Sequence, residues 1–77
     1  MANRDTKAVT DRVRSFFEQV ENEGLPINET AVRLAELVGC TRQSVYRWKN
    51  GRGSVLIHLA ERVDQSLDEL SAELGFS

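Results

Sequence analysis

One cysteine, one histidine and one proline are all that this 77-residue chain holds of three residue types on which many small domains depend. A lone Cys40 excludes an intramolecular disulfide. With only His58 to join it, no structural zinc site of Cys and His ligands can be completed, so the fold must stand on packing. No apolar run approaches the roughly 20 residues of a membrane-spanning helix. The opening Met1-Ala-Asn-Arg-Asp5 lacks the apolar stretch of a secretory signal, which predicts a cytoplasmic protein. Strand signals are missing as well: no apolar/polar alternation is sustained, and Asn50-Gly51 follows a helical pattern rather than linking two β-branched runs. A mass of 8.7 kDa allows one domain, 1–77, with no room for separate substrate and cofactor domains. What is present, 40% hydrophobic and 29% charged residues, is the composition of a folded globule and not of a disordered chain.

The net charge of −2 conceals a segregation. Residues 1–36 carry −2 and residues 61–77 carry −4, whereas 37–60 carry Arg42, Arg47, Lys49 and Arg52 with no acid, a local +4. A polyanion responds to the face presented to it, so the local excess matters more than the total. Four basic residues in 24 is modest enrichment, and charge alone does not decide the matter.

Helical periodicity runs through the chain. Val9, Val13, Phe16, Phe17 and Val20 form one apolar face of a helix over about 6–22, capped by Asp5 or Thr6 and ended by Gly24 and Pro26. Asn28 or Thr30 is suited to cap a second helix carrying Ala31, Leu34, Ala35, Leu37 and Val38, which stops at Gly39. Thr41 then caps a third, with Val45 and Trp48 inward, ending near Asn50-Gly51. Gly51-Arg-Gly-Ser54 forms a tight connection with Ser54 as an N-cap. Beyond it, Leu56, Ala60, Val63, Leu67, Leu70 and Leu74 are spaced 4, 3, 4, 3, 4. That seam fits one continuous helix over 54–74, a candidate dimerisation region. Ser66 and Glu69 offer a competing capping box, which would make two short helices closing a globular core. Gly75-Phe76 reads as a Schellman ending with Phe76 packed onto Leu70. The expected fold is all-α, a small bundle of four or five helices.

The segment most informative about function is 31–50, two short helices joined by about three residues around Gly39. Steeply crossing helices need a small residue where they touch, which Ala35 supplies. The turn needs a positive φ, which Gly39 supplies, and Val45 and Trp48 pin the second helix onto the core. With these residues at these spacings the segment resembles the helix-turn-helix of the phage repressor and Cro family of DNA-binding proteins. Similar segments occur in plasmid-borne repressors and stability proteins, and in recombinases and transposases. The likeness is tight over about 20 residues. Cys40 departs from it, standing where a larger aliphatic is usual, and the stretch from Trp48 to Leu67 is shorter than in many such repressors.

The resemblance implies that the second helix, about 41–50, lies in the major groove and that Arg42, Gln43, Tyr46 and Arg47 reach base edges. Their chemistry is compatible with that role, since Arg pairs with guanine and Gln with adenine through two hydrogen bonds each. The alternatives are a solvated face for Arg42 and Gln43 and a ring covering the core edge for Tyr46. Backbone phosphates would be met by Thr30, Arg33, Thr41, Ser44, Lys49 and Arg52, and by Gly53 and Ser54 opening the next helix with its free N–H groups. For Gly51 to Ser54 a plain turn is an equal reading.

Other constellations are weak. A Cys40–His58 dyad lacks an orienting group, Glu61, Asp64, Asp68 and Glu69 read as a solvated acidic face, and Phe16 and Phe17 belong to the core rather than to base-stacking platforms. The expectation is therefore a non-enzymatic, sequence-specific binder of double-stranded DNA, a transcriptional repressor needing no metal, cofactor or small-molecule substrate and touching no membrane. It would act as a homodimer or as adjacent monomers on repeated sites. Its rivals are a plasmid stability protein coating repeats and the DNA-binding part of a recombinase or transposase.

Overall fold

The apolar stripe of the first segment forms helix α1 (Thr6–Asn22) at the expected bounds, with Val9, Val13, Phe16, Phe17 and Val20 all buried. The structure is a computed structural model and describes residues 6–76; the candidate cap Asp5 lies outside them. Helices α2 (Ile27–Val38) and α3 (Arg42–Lys49) follow, then one 3-10 turn (Ile57–Leu59) and α4 (Ala60–Leu74). Helices α3 and α4 each pack against both α1 and α2, so the four apolar faces meet in one core. The chain is a small all-α bundle with no strand among the described residues.

Each α-helix is followed by a glycine with φ between 72° and 86°: Gly24, Gly39, Gly51 and Gly75. At the end of α4 the Phe76 N–H donates to Ser71 O and the Gly75 N–H to Ala72 O, the Schellman pattern. The Phe76 ring then lies edge-on to Phe16, with centroids 5.7 Å apart, so its aromatic partner is on α1.

Two expected boundaries are corrected. Neither Asn28 nor Thr30 caps α2: the helix begins at Ile27 directly after Pro26, with no side-chain cap. Proline has no N–H to satisfy and its fixed φ, here −71°, suits the residue leading into a helix. Thr30, buried within the helix, donates from Oγ1 to Pro26 O at 2.7 Å.

The second correction concerns 54–74. Ser54 caps nothing, since 54–56 is extended and the α-helix starts at Ala60. In an extended segment neighbours point to opposite sides, so Val55 is buried while Leu56 is 57% exposed; Ile57, which opens the 3-10 turn, is exposed at 63%. From Ala60 the helix runs unbroken through Ser66, which is itself buried, and the capping box with Glu69 goes unused. Ala60, Val63, Leu67 and Leu70, expected on a dimer seam, lie in the core of the single chain.

A buried hydroxyl holds the extended segment in place. Thr10 Oγ1 donates to Thr6 O at 2.6 Å and accepts from the Val55 N–H at 2.9 Å, tying the chain beyond α3 to α1. Thr10→Val keeps the shape but leaves that buried N–H without its acceptor, a loss of about 1–3 kcal/mol. Thermal melting should show the variant folded but several degrees less stable, and an unchanged Tm would remove this role from Thr10.

Candidate nucleic-acid interface

Helix α3 owes its position to the turn before it. Gly39, at φ 86°, directs its own N–H and that of Cys40 onto Ala35 O at 2.8 and 3.0 Å, which stops α2 and turns the chain. An L-residue with a Cβ would be strained in that left-handed conformation. Thr41 then caps α3, its Oγ1 accepting from the Ser44 N–H at 3.2 Å. Gly39, Cys40 and Thr41 are the whole connection, and Ala35, Val45 and Trp48 are buried around it. Burial pushes the half-buried Cys40 thiol above its ordinary pKa, which disfavours the thiolate a nucleophile needs.

With Val45 and Trp48 turned inward, the opposite face of α3 presents Arg42, Gln43, Tyr46 and Arg47 together. They line one open depression with Asn50 and Arg52. Arg42, Gln43 and Arg47 are exposed and Tyr46 is half-buried against the core. Asn28 completes the arrangement, its Oδ1 accepting from Arg42 Nη1 at 3.2 Å and from Tyr46 Oη at 3.1 Å. One acceptor on α2 thus orients two side chains on α3. The sequence pattern marks Asn28 only as a cap; because the helix starts a residue earlier, its side chain is free to do this instead.

The residues expected at phosphates divide into three groups. Arg52 belongs to the same face as the candidate base readers. Thr41 and Ser44 stand at the start of α3, with their hydroxyls 3.2 Å from each other. The others are placed differently. Thr30 is buried and its hydroxyl is engaged with Pro26. Arg33 is directed at α4, where Nη2 meets Glu73 Oε2 at 3.1 Å, and this hydrogen bond raises the guanidinium pKa further. Lys49 is half-buried on the α1 side, in a depression with Arg14, Phe17, Glu18 and Glu21. Gly53 and Ser54 do not open a helix, so the expected anion site at a helix N-terminus is absent.

Charge pairing separates the surface into two regions. Asp64 and Asp68 of α4 bind Arg12, Glu73 binds Arg33, and Asp11 binds Lys7. Among the described residues no ion pair neutralises Arg42, Arg47, Lys49 or Arg52, and Arg14 of α1 joins them as a cation the sequence pattern did not single out. Among the described residues the α4 acids Asp64, Asp68 and Glu73 pair with Arg12 and Arg33 and not with the cations of α3 and the turn after it. No helix among the described residues is long and apolar enough to cross a membrane.

No protein-family model, curated protein or solved structure matches the chain.

Proposed function

We propose that this domain binds double-stranded DNA sequence-specifically, with α3 in the major groove, and acts as a cytoplasmic transcriptional repressor. The observation that carries this reading is the unneutralised arginine face on the short, exposed helix of a three-residue turn. An 8-residue helix whose outer face is Arg-Gln-Tyr-Arg has the width and the donors that a major groove accepts. Arg42 and Gln43 read bases, Tyr46 lies at the edge of the contact, and Arg52 with Thr41 and Ser44 meets the backbone. The domain would repress by occupancy, because a bound duplex excludes other proteins from the same site. A single motif buries only about 600–1,000 Å², so two copies act together on repeated half-sites, as a homodimer or as neighbours.

Selection of bound duplexes from a random pool tests this directly. The expected outcome is enrichment of a short motif, present twice at a fixed spacing, with affinity that falls steeply as salt rises. Failure to enrich any sequence, or binding indifferent to salt, would contradict it.

A further inference from the structure

Three arginines from three different parts of the chain converge on the turn that follows α3. A methyl group added to Gly51 would stand 3.8 Å from Arg14 Cζ, and one added to Gly53 would stand 3.5 Å from Arg47 Nη2 and 3.7 Å from its Nε. The guanidinium groups of Arg14 and Arg47 therefore rest against the two glycines, with Arg52 between them in sequence. Arg52 also links the two neighbouring depressions, sharing one with Arg14 and the other with Arg47. No carboxylate forms an ion pair with any of the three among the described residues; of the acids nearby, Asp11 is bound by Lys7 at 3.2 Å, and Glu18 and Glu21 share a depression with Arg14 and Lys49.

The turn that gathers them is held at both ends. The Arg52 N–H donates to Arg47 O at 2.8 Å and the Gly51 N–H to Trp48 O at 3.2 Å, closing the turn onto α3. On the other side, Thr10 anchors Val55 to α1, the helix that carries Arg14. The backbone from which Arg47 and Arg52 project is thus held against α1, which carries Arg14, by backbone and buried hydrogen bonds. Like charges gathered without a direct ion-pair partner repel one another, and an anion between them removes the repulsion. A phosphate oxygen pair suits the planar fork of a guanidinium.

We infer that Arg14, Arg47 and Arg52 form one phosphate-binding site around Gly51–Gly53, which takes a phosphodiester of the DNA backbone. This rests on the reading of the domain as a DNA binder and changes it in two respects. Helix α1 becomes part of the interface through Arg14, and Arg47 moves from the base readers to the backbone contacts. The glycines contribute by having no side chain, which lets Arg14 and Arg47 lie against the turn.

The test compares Arg14→Ala, Arg47→Ala and Arg52→Ala with the unaltered protein on a selected duplex and on a scrambled one of equal length, at several salt concentrations. Circular dichroism checks that each exposed-site variant stays folded. Each variant should lose about threefold to tenfold in affinity equally on both duplexes, and its salt slope should fall by about one. Arg14→Lys should restore the slope. A selective loss on the selected duplex for Arg47→Ala would return that residue to base reading, and unchanged affinity and slope for Arg14→Ala would remove α1 from the interface; either result overturns the proposal. If the unaltered protein binds neither duplex, the DNA reading itself has failed, and titration with inorganic phosphate then decides the anion site alone. Shifts of the Arg Nε and Gly51–Gly53 amide resonances that vanish in Arg14→Ala would retain a site for free phosphate, and no shift would abolish it.

Discussion

Leu67→Glu should unfold the domain rather than separate two copies of it. Leu67 is fully buried, in the core where α4 meets α1 and α2, and Leu70 one turn on is 2% exposed. A carboxylate forced into that position has no partner, and burying an unpaired charge costs several kcal/mol. A domain of this size has only on the order of 4–10 kcal/mol in total. Far-UV circular dichroism at 25 °C should show most of the helix signal lost for Leu67→Glu and for the double variant with Leu70→Glu. The milder Leu67→Ala should remain folded but lose about 2–5 kcal/mol. Leu56→Ser, on a side chain more than half exposed, should leave the melting temperature within a few degrees. A Leu67→Glu, Leu70→Glu protein that is helical and monomeric would return this seam to an interface between copies.

Arg42→Ala and Arg52→Ala should fail in different ways although each removes one positive charge. Arg42 stands at the N-terminal end of α3, its guanidinium aimed by Asn28, and one bidentate pair with guanine discriminates by about 1–3 kcal/mol. Its loss should weaken the selected site about tenfold to a hundredfold and random DNA far less, flattening preference at one base pair. Arg52 lies in the turn beyond α3, suited to a phosphate, and its loss should weaken every sequence alike. Lys49→Ala should cost less than Arg52→Ala, because Lys49 lies toward Glu18 and Glu21 of α1. Titrations on both duplexes over a range of salt decide this. Equal losses on both duplexes for Arg42→Ala would leave it a backbone contact.

How much of this was legible in the residues depends on the range over which each feature is determined. The bounds of α1 and the turn at Gly39 follow from local periodicity and from a conformation that favours glycine, so both stand as expected. The leucines of α4 show where local pattern stops being enough. A 4-3-4-3 spacing describes a stripe on one side of a helix, and the same stripe serves a second copy or the chain's own α1 and α2. Only the tertiary arrangement decides, and here α1 and α2 cover it. The run Val55, Leu56, Ile57 is harder still. A helix would turn Leu56 inward and an extended chain turns Val55 inward, and the deciding partner is a hydroxyl 45 positions earlier, on Thr10.

The candidate site divides in the same way. Arg42, Gln43, Tyr46 and Arg47 were legible as a set because they fall on the face opposite Val45 and Trp48, and the structure brings them together. Asn28 was not, because a polar residue near a helix start reads first as a cap. Arg14 sits on the polar side of a strongly amphipathic helix, where a lone arginine carries no signal until the turn at Gly51 is seen against it. Arg33 and Lys49 looked alike as nearby positive charges. Arg33 is paired with Glu73 on α4, and Lys49 lies on the α1 side, outside the depression that Arg42, Arg47 and Arg52 line.

The central claim is that the outer face of α3 and the turn after it are where this domain meets DNA. Residue-resolved NMR during titration with a selected duplex tests it most directly. The account predicts the largest shifts at Arg42, Gln43, Tyr46 and the 51–53 turn, with the Arg14 side chain responding and the acidic face of α4 from Glu61 to Glu73 unmoved. Shifts centred on α4, or none at saturating duplex, would contradict it.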